Sequence, residues 1–578
     1  MTRTRRLGMA VAIVAAVVCA GSGCTVIPVS GPYTVNDAGG GDPLSKSFQR
    51  MIAIPPQRDW GTEETIRGLQ AAMAAYPDDP SILEQYLTPT ALSKWKDSAS
   101  GPVTVIEDGY EVVPPPPRDG TETTQKVTLK GRYAAIINQD DSYAPTAGPW
   151  VKPYELVKDP KGGYRVNDLP SGLLLTAADV ARAYRPTNLY YLNRGLQDRL
   201  VADRVRLRLK TTETFAQTVL ERLLKPPTGA LQGAVTSSFP SGTEIESIRS
   251  GEERVVISLS GPLDLSDLSA EAKLRAQIRY SLNMNEIAKG RIIEVQVDGE
   301  QYVIDRPNSE ENWLDDSGDT AYYVGKGAIQ YLGKDGPGGA VAGAAGEPRE
   351  GYSGFALSKE RNGLVAARTS TGISVAALTQ EGRWQEVIQG SDLTPPTWHR
   401  DGSLWTYDRK NAALLRYDPG SGRTVQVGVP EQLDGLDVTR LRIARDGVRV
   451  VVTIGKNTVQ IGALIGEGAG ATLGNLQSLT TTEEGDEILD VVWGDDEHVL
   501  VLVESKAGQI LSEINVGDGE TTGVPLKDRL VSLAALGDRV LAEAKADNST
   551  KLIELGQDRQ TWAPKIDSGA GAPLFPLG

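Results

Sequence analysis

The sequence predicts a multidomain chain, α+β first and all-β last, and three observations carry that reading. Turn glycines at Gly363, Gly402, Gly447, Gly494 and Gly537 return every 39 to 47 residues, each between apolar strand-like runs. That period and strand count mean a β-propeller. Ahead of it, helical and strand periodicities alternate in two differently ordered blocks, the pattern of two smaller mixed modules. The first 24 residues have the layout of an export signal rather than of a folded segment.

That signal sets the context. Arg3, Arg5 and Arg6 make a basic start, and Leu7 to Ala20 is an apolar run of about 14 residues, short of the ~20 that a spanning helix needs. Gly21, Ser22 and Gly23 then lead directly into Cys24. A thiol at that place can take a diacylglycerol thioether, and cleavage after Gly23 leaves an amine that can be acylated. The stretch resembles a bacterial lipoprotein signal with its lipobox, with Gly21 where that motif usually has Leu. The alternatives are a plain signal peptide with an incidental cysteine and an uncleaved anchor helix.

Loss of residues 1–23 removes three arginines and no acid, which takes the formal net charge from −15 to about −18. Such a balance argues against nucleic acid, where a basic patch is expected, and against broad docking on anionic lipid. Acyl chains must then hold the protein at the membrane, and two or more make a durable anchor. Cys19 lies in the discarded segment, so Cys24 is the mature chain's single cysteine. This excludes an internal disulfide and cysteine metal sites. No second apolar run approaches spanning length.

Residues 24–45 are small and turn-forming, a flexible tether. Residues 46–185 begin with helices. Ile66, Leu69, Met73 and Tyr76 share one face, Ser81-Ile-Leu-Glu84 reads as a capping box, and Thr88 opens a third helix. Strand-like runs follow at 103–106, 110–113, 126–129, 133–137 and 163–166. Helices first and a curved antiparallel sheet after resembles the NTF2-like cone, with "YLTPTALSKW" as its helical wall; that resemblance implies a spacer or docking domain, or one with a ligand pocket.

Residues 186–305 run strand, strand, helix, strand, helix, strand. Val205, Leu207 and Leu209 alternate with Arg204, Arg206 and Arg208, giving a strand with one apolar and one basic face. The basic face is either a patch for a partner or a solvated strand face. A helix covers 213–224, Leu274, Ile278 and Leu282 mark a second one, and Asp298-Gly299 follows the closing strand. This order, with "LERLLKPPTGALQGAVTSSFPSGTEI", "RVVISLSGPL" and "IIEVQVDGEQ", resembles the GerMN domain, which implies envelope or protein binding rather than catalysis.

Residues 306–350 form a connecting segment or the first strands of a blade. The acidic cluster Asp315 to Asp319 lacks a full calcium loop. The glycine run from Gly336 to Gly346 has no phosphate-loop spacing and reads as a loop. Residues 351–567 hold five clear propeller blades. A sixth would come from 320–333 joined to the C-terminal tail, 568–578.

Candidate chemistry is sparse. His399 and His498 sit at strand-to-turn corners, neither beside a second histidine. The G-x-S-x-G elbow is absent. Acid pairs for glycoside hydrolysis need not be close in sequence, but propeller acids are mostly turn residues. Trp384, Trp398, Trp405, Trp493 and Trp562 are blade packing or, alternatively, sugar platforms. No catalytic residue, metal, cofactor or small-molecule substrate is assigned, apart from the covalent lipid at Cys24.

Taken together, the lipobox with "CTVIPVSGP", "YLTP" followed by Trp95, the GerMN module and the propeller, in that order, resemble the actinobacterial LpqB lipoprotein family over essentially the whole chain. The resemblance implies a lipid-anchored accessory on the outer face of the cytoplasmic membrane. It would act on the MtrAB two-component system by contacting the extracellular domain of the sensor kinase MtrB. The competing reading is a cell-envelope glycan-binding protein or envelope hydrolase.

Overall fold

A computed structural model describes residues 33–35 and 50–578, except for residues 77, 115–122, 197, 211–213, 264–266, 289, 306–312, 315–317, 335, 360–362 and 548. The signal segment with Gly23 and Cys24, and most of the acidic cluster at 315–319, lie outside the described residues. Within the expected tether, Tyr33–Val35 pairs antiparallel with Arg50–Ile52, so that part of it is strand. No described helix is long and apolar enough to cross a membrane.

The N-terminal domain opens with helix Thr62–Ala75, which buries Ile66, Leu69 and Met73. Its Gly68 is required by close approach: a Cβ there would lie 2.3 Å from the Tyr86 hydroxyl, which donates to the Ile54 carbonyl at 2.7 Å. The second helix, Pro80–Tyr86, starts one residue before Ser81. Its cap is Asp79, whose carboxylate takes the Ser81 amide, and Pro80 suits the first helical position because it has no N–H to satisfy. The expected box at Ser81 is therefore corrected, and the domain's capping box is Thr176 with Asp179. Thr88 caps helix Pro89–Lys96 as expected, and Trp95 donates to the Gly172 carbonyl at 3.0 Å.

These helices pack on a sheet built around Thr124–Ile137. The two runs expected at 126–129 and 133–137 are one strand, because Gly131 stays extended between them and pairs with Trp150. Pro149–Lys158 has no counterpart among the expected strands; its two prolines mask it.

The second domain starts with a hairpin, Tyr184–Asn193 against Leu200–Arg208, so the boundary expected at 185/186 falls inside a strand. Helix Phe215–Leu223 is capped by Thr214. Arg254–Ser260 and Ile292–Val297 then pair in parallel, joined through helix Leu268–Asn283. Such a connection needs a crossover element, and Leu274, Ile278 and Leu282 seat this one on the core. Asp298 and Gly299 both take positive φ, as a tight hairpin turn demands.

From Ala321 onward, the described residues form six four-stranded sheets that follow one another. Blade 1 is Gly336–Ala340, Ala328–Gly333 and Ala321–Gly325, completed by Gly571–Leu574. Blades 2 to 6 begin at Ser353, Thr397, Val438, Glu487 and Leu530. Each gap between blades holds its own apolar cluster: Leu357 with Tyr322, Trp398 with Ala356, Leu441 with Tyr407, Val491 with Val451, Leu533 with Val492, and Phe575 with Ala534. The last of these returns to blade 1, so the ring closes and its inner sheet edges are covered. The blade count is thus six. The glycine run expected as a loop is, at Gly336–Ala340, the outer strand of blade 1. The expected tail supplies that blade's inner strand.

Blade junctions repeat one device. Trp398 and Trp493 end the inner strands of blades 3 and 5, and each indole N–H reaches back to a carbonyl of the preceding blade: Ala356 at 3.1 Å and Arg442 at 3.1 Å. Trp398→Phe should cost about 2 kcal/mol, because it leaves a buried carbonyl without its donor as well as a small void. Chemical denaturation followed by tryptophan fluorescence measures this, and a loss under about 0.5 kcal/mol would show the bond to be dispensable.

Candidate functional site at the junction of three domains

The arginine strand is where the three domains meet. Alternation on Leu200–Arg208 puts Val201, Val205 and Leu207 into the second domain's core and turns Arg204, Arg206 and Arg208 the other way. That face is neither solvated nor open to an external partner. Arg204 Nε lies 2.6 Å and Arg206 Nη2 2.8 Å from the same Asp518 oxygen, in a turn of blade 5, and Arg204 also reaches Glu520 at 3.0 Å. Arg208 pairs with Asp78 of the N-terminal domain at 3.0 Å. The Arg206 guanidinium stacks 4.8 Å from the Tyr143 ring centroid, and Arg208 lies over Tyr184. Both sequence readings of the stripe are therefore corrected: its partners are the chain's own neighbouring domains. The Asp518 side chain is only 1% exposed, so two guanidiniums balance one desolvated carboxylate.

A second set of bonds joins the same bodies. Arg222, on the Phe215–Leu223 helix, donates to Asp141 Oδ2 at 2.9 Å, the Asp140 carbonyl at 2.7 Å and the Pro226 carbonyl at 2.8 Å. Arg449 of blade 4 donates to Asp446 at 2.8 Å and to the Ala202 carbonyl of the hairpin. Asn193 donates to the Asp446 carbonyl at 2.8 Å, Asn188 to Glu497 at 2.9 Å, and Asn475 to the Gln232 carbonyl at 2.9 Å. Val448 and Ala463 of the propeller are members of the second domain's own apolar cluster.

Burial shapes the acids here. It pushes the Asp203 carboxyl up, against the Thr228 amide and hydroxyl that bind it at 2.8 Å each. It likewise raises Glu497 and Asp141, the latter despite Arg222.

The histidines are occupied. His399 Nε2 bonds the Gly447 carbonyl at 2.8 Å and Nδ1 lies 2.8 Å from Asp401. Ser403 donates to that same carboxylate, not to the imidazole, so the trio has no nucleophile–base bond. Burial alone would raise Asp401, but His399 and Ser403 hold it well below the usual carboxylate range. His498 sits 3.0 Å from Asp495, which raises its pKa. Among the described residues no group of three or more His, Cys, Asp or Glu side chains is placed to hold a metal.

Trp398, Trp405 and Trp493 are buried in blades. Trp384 packs on Tyr352 and Phe355, and Trp562 donates to the Pro525 carbonyl at 2.9 Å. The N-terminal domain does hold a cleft of about 450 Å³, lined by Met73, Tyr133, Trp150, Tyr154 and Leu173.

Sequence reasoning missed Asp78, Asp141, Asp518, Arg222 and Arg449. The one local signal was Arg222, a charge beside Leu223 on the buried side of its helix, where its neighbours are apolar apart from Thr218.

Three family models match the chain in order: "Lipoprotein LpqB, N-terminal domain" over 55–181, "Sporulation and spore germination" over 188–303, and "Lipoprotein LpqB beta-propeller domain" over 334–576. Curated relatives named "Lipoprotein LpqB" include those of Thermobifida fusca, 26% identical, and Streptomyces avermitilis, 28% identical, each match covering 96% of both chains. The Streptomyces coelicolor protein of that name is 26% identical, over 96% of this chain and 95% of its own.

Proposed function

Because the chain belongs to the LpqB lipoprotein family, we propose that it is a non-catalytic accessory protein, held by lipid on Cys24 at the outer face of the cytoplasmic membrane. There it modulates the MtrAB two-component system by contacting the extracellular domain of the sensor kinase MtrB. The observation that carries this reading is the three-domain lock. Arg204 and Arg206 on Asp518, Arg208 on Asp78 and Arg222 on Asp141 make one body of three modules, so a contact at one face orients the whole.

An anchored body searches in two dimensions, which raises its effective concentration near a membrane kinase and lets a weak contact matter. To change kinase output it must bind one signalling state better than the other. The external domain of the kinase, immobilised, should retain the full chain from detergent extract. No retention at micromolar concentrations would sink the partner while leaving the anchor untouched.

A further inference from the structure

Between the three domains lies a cavity of about 300 Å³ that the lock does not fill. Its walls come from the 138–145 turn of the N-terminal domain, the hairpin and the 228–231 loop of the second domain, and blades 4 and 5 of the propeller. We infer that this cavity is a binding site for an uncharged saccharide of one or two rings.

The charges on its wall are already committed. Asp203 is bound by Thr228, Arg449 by Asp446, and Arg204 by Asp518 and Glu520. A phosphate or carboxylate ligand would have to break one of these pairs, and an ammonium ligand would meet the arginines. What the cavity presents instead is neutral: the Gln477 amide and the Tyr143 and Ser478 hydroxyls, beside Asn138, Ser142 and Asn475, whose donors are engaged within the protein and which add acceptor oxygens. Pro145, Ile461 and Leu479 add apolar surface. Neutral donors and acceptors beside small apolar faces match a sugar ring, which has hydroxyls at its rim and C–H groups on its faces. Wholly apolar ligands are disfavoured, since they would strip water from Tyr143, Gln477 and Ser478 without replacing it. The volume stands at the lower end of the range for small-molecule sites, which limits the ligand to one or two rings.

Asn475 is held in the left-handed region at φ 51°, and its amide bonds the Ala230 and Gln232 carbonyls of the second domain. The same residue thus fastens the propeller to its neighbour and lines the cavity. Gln477 and Ser478 lie two and three residues further along the outer strand of blade 4, exposed at the mouth.

The test uses the full chain in detergent and saturation-transfer NMR read on the sugar. N,N′-diacetylchitobiose or maltose should receive saturation from the wild-type chain. Ser478→Trp, which puts an indole across the mouth from an exposed position, should cut the signal about tenfold at an unchanged unfolding midpoint. Gln477→Ala should lower it several-fold without adding bulk, which keeps the test open if the tryptophan variant folds poorly. No transfer to either disaccharide overturns the inference. So does equal transfer in wild type and both variants, which places binding elsewhere, or stronger transfer to glucuronic acid than to the neutral sugars.

Discussion

Replacing Arg222 with alanine should cost about 3 kcal/mol and uncouple the N-terminal domain from the second. The side chain is 4% exposed and its fork spans two domains, with Asp141 and the Asp140 carbonyl on one side and the Pro226 carbonyl on the other. Removing one partner of a buried pair typically costs 3–5 kcal/mol, roughly, because the other charge stays desolvated. Here Asp141 is 33% exposed and can regain water, so the lower end applies. Arg222→Lys keeps the charge but replaces a planar fork by a point donor, and should recover less than half of the loss. Scanning calorimetry is the measurement, because a three-domain chain does not unfold in one two-state step. The variant should split a shared transition into two. A single unshifted transition would show that the second domain holds its neighbour by other means.

The lock also marks the limit of what sequence pattern could reveal. Alternation along 200–208 was legible, since a strand's side chains point to opposite faces with a period of two. What covers the basic face was not, because Asp78 and Asp518 stand 130 and 312 to 314 positions away. The propeller shows the same division. A turn glycine in each repeat made five blades countable, but blade 1 closes through Gly571–Leu574 pairing near Tyr322 and Val324, a contact between opposite ends of the domain. The outer strand Gly336–Ala340 carries four glycines and prolines in five residues and has no strand propensity of its own. Register against Ala328–Gly333 makes it a strand. Where local chemistry decides the outcome, as at Thr88 and Asp298-Gly299, the sequence was sufficient; where a distant neighbour decides it, as at the arginines, only the fold supplies the answer.

Cys24→Ala should move the protein from the membrane fraction to the soluble fraction and abolish most of the effect on the kinase proposed above. The described body offers no spanning helix, and the mature chain's charge of about −18 opposes adsorption to anionic lipid. Under the anchor proposed above, attachment rests on the acyl chains. Each buried methylene is worth about 0.8 kcal/mol, so one chain is marginal and two or three are durable. Loss of all of them removes the anchor rather than weakening it. The expected consequence for signalling follows from concentration. A contact too weak to form from solution forms readily when both partners share a membrane plane, so the freed body should need far higher amounts to shift kinase output. Fractionation of cells carrying each form, with the intact mass of the purified mature chain, checks both halves. Wild-type material should carry acyl mass at its first residue. If the alanine form stayed quantitatively with membranes, or if the native first residue were bare, the anchor would have to lie elsewhere, and the argument from shared geometry with the kinase would lose its footing.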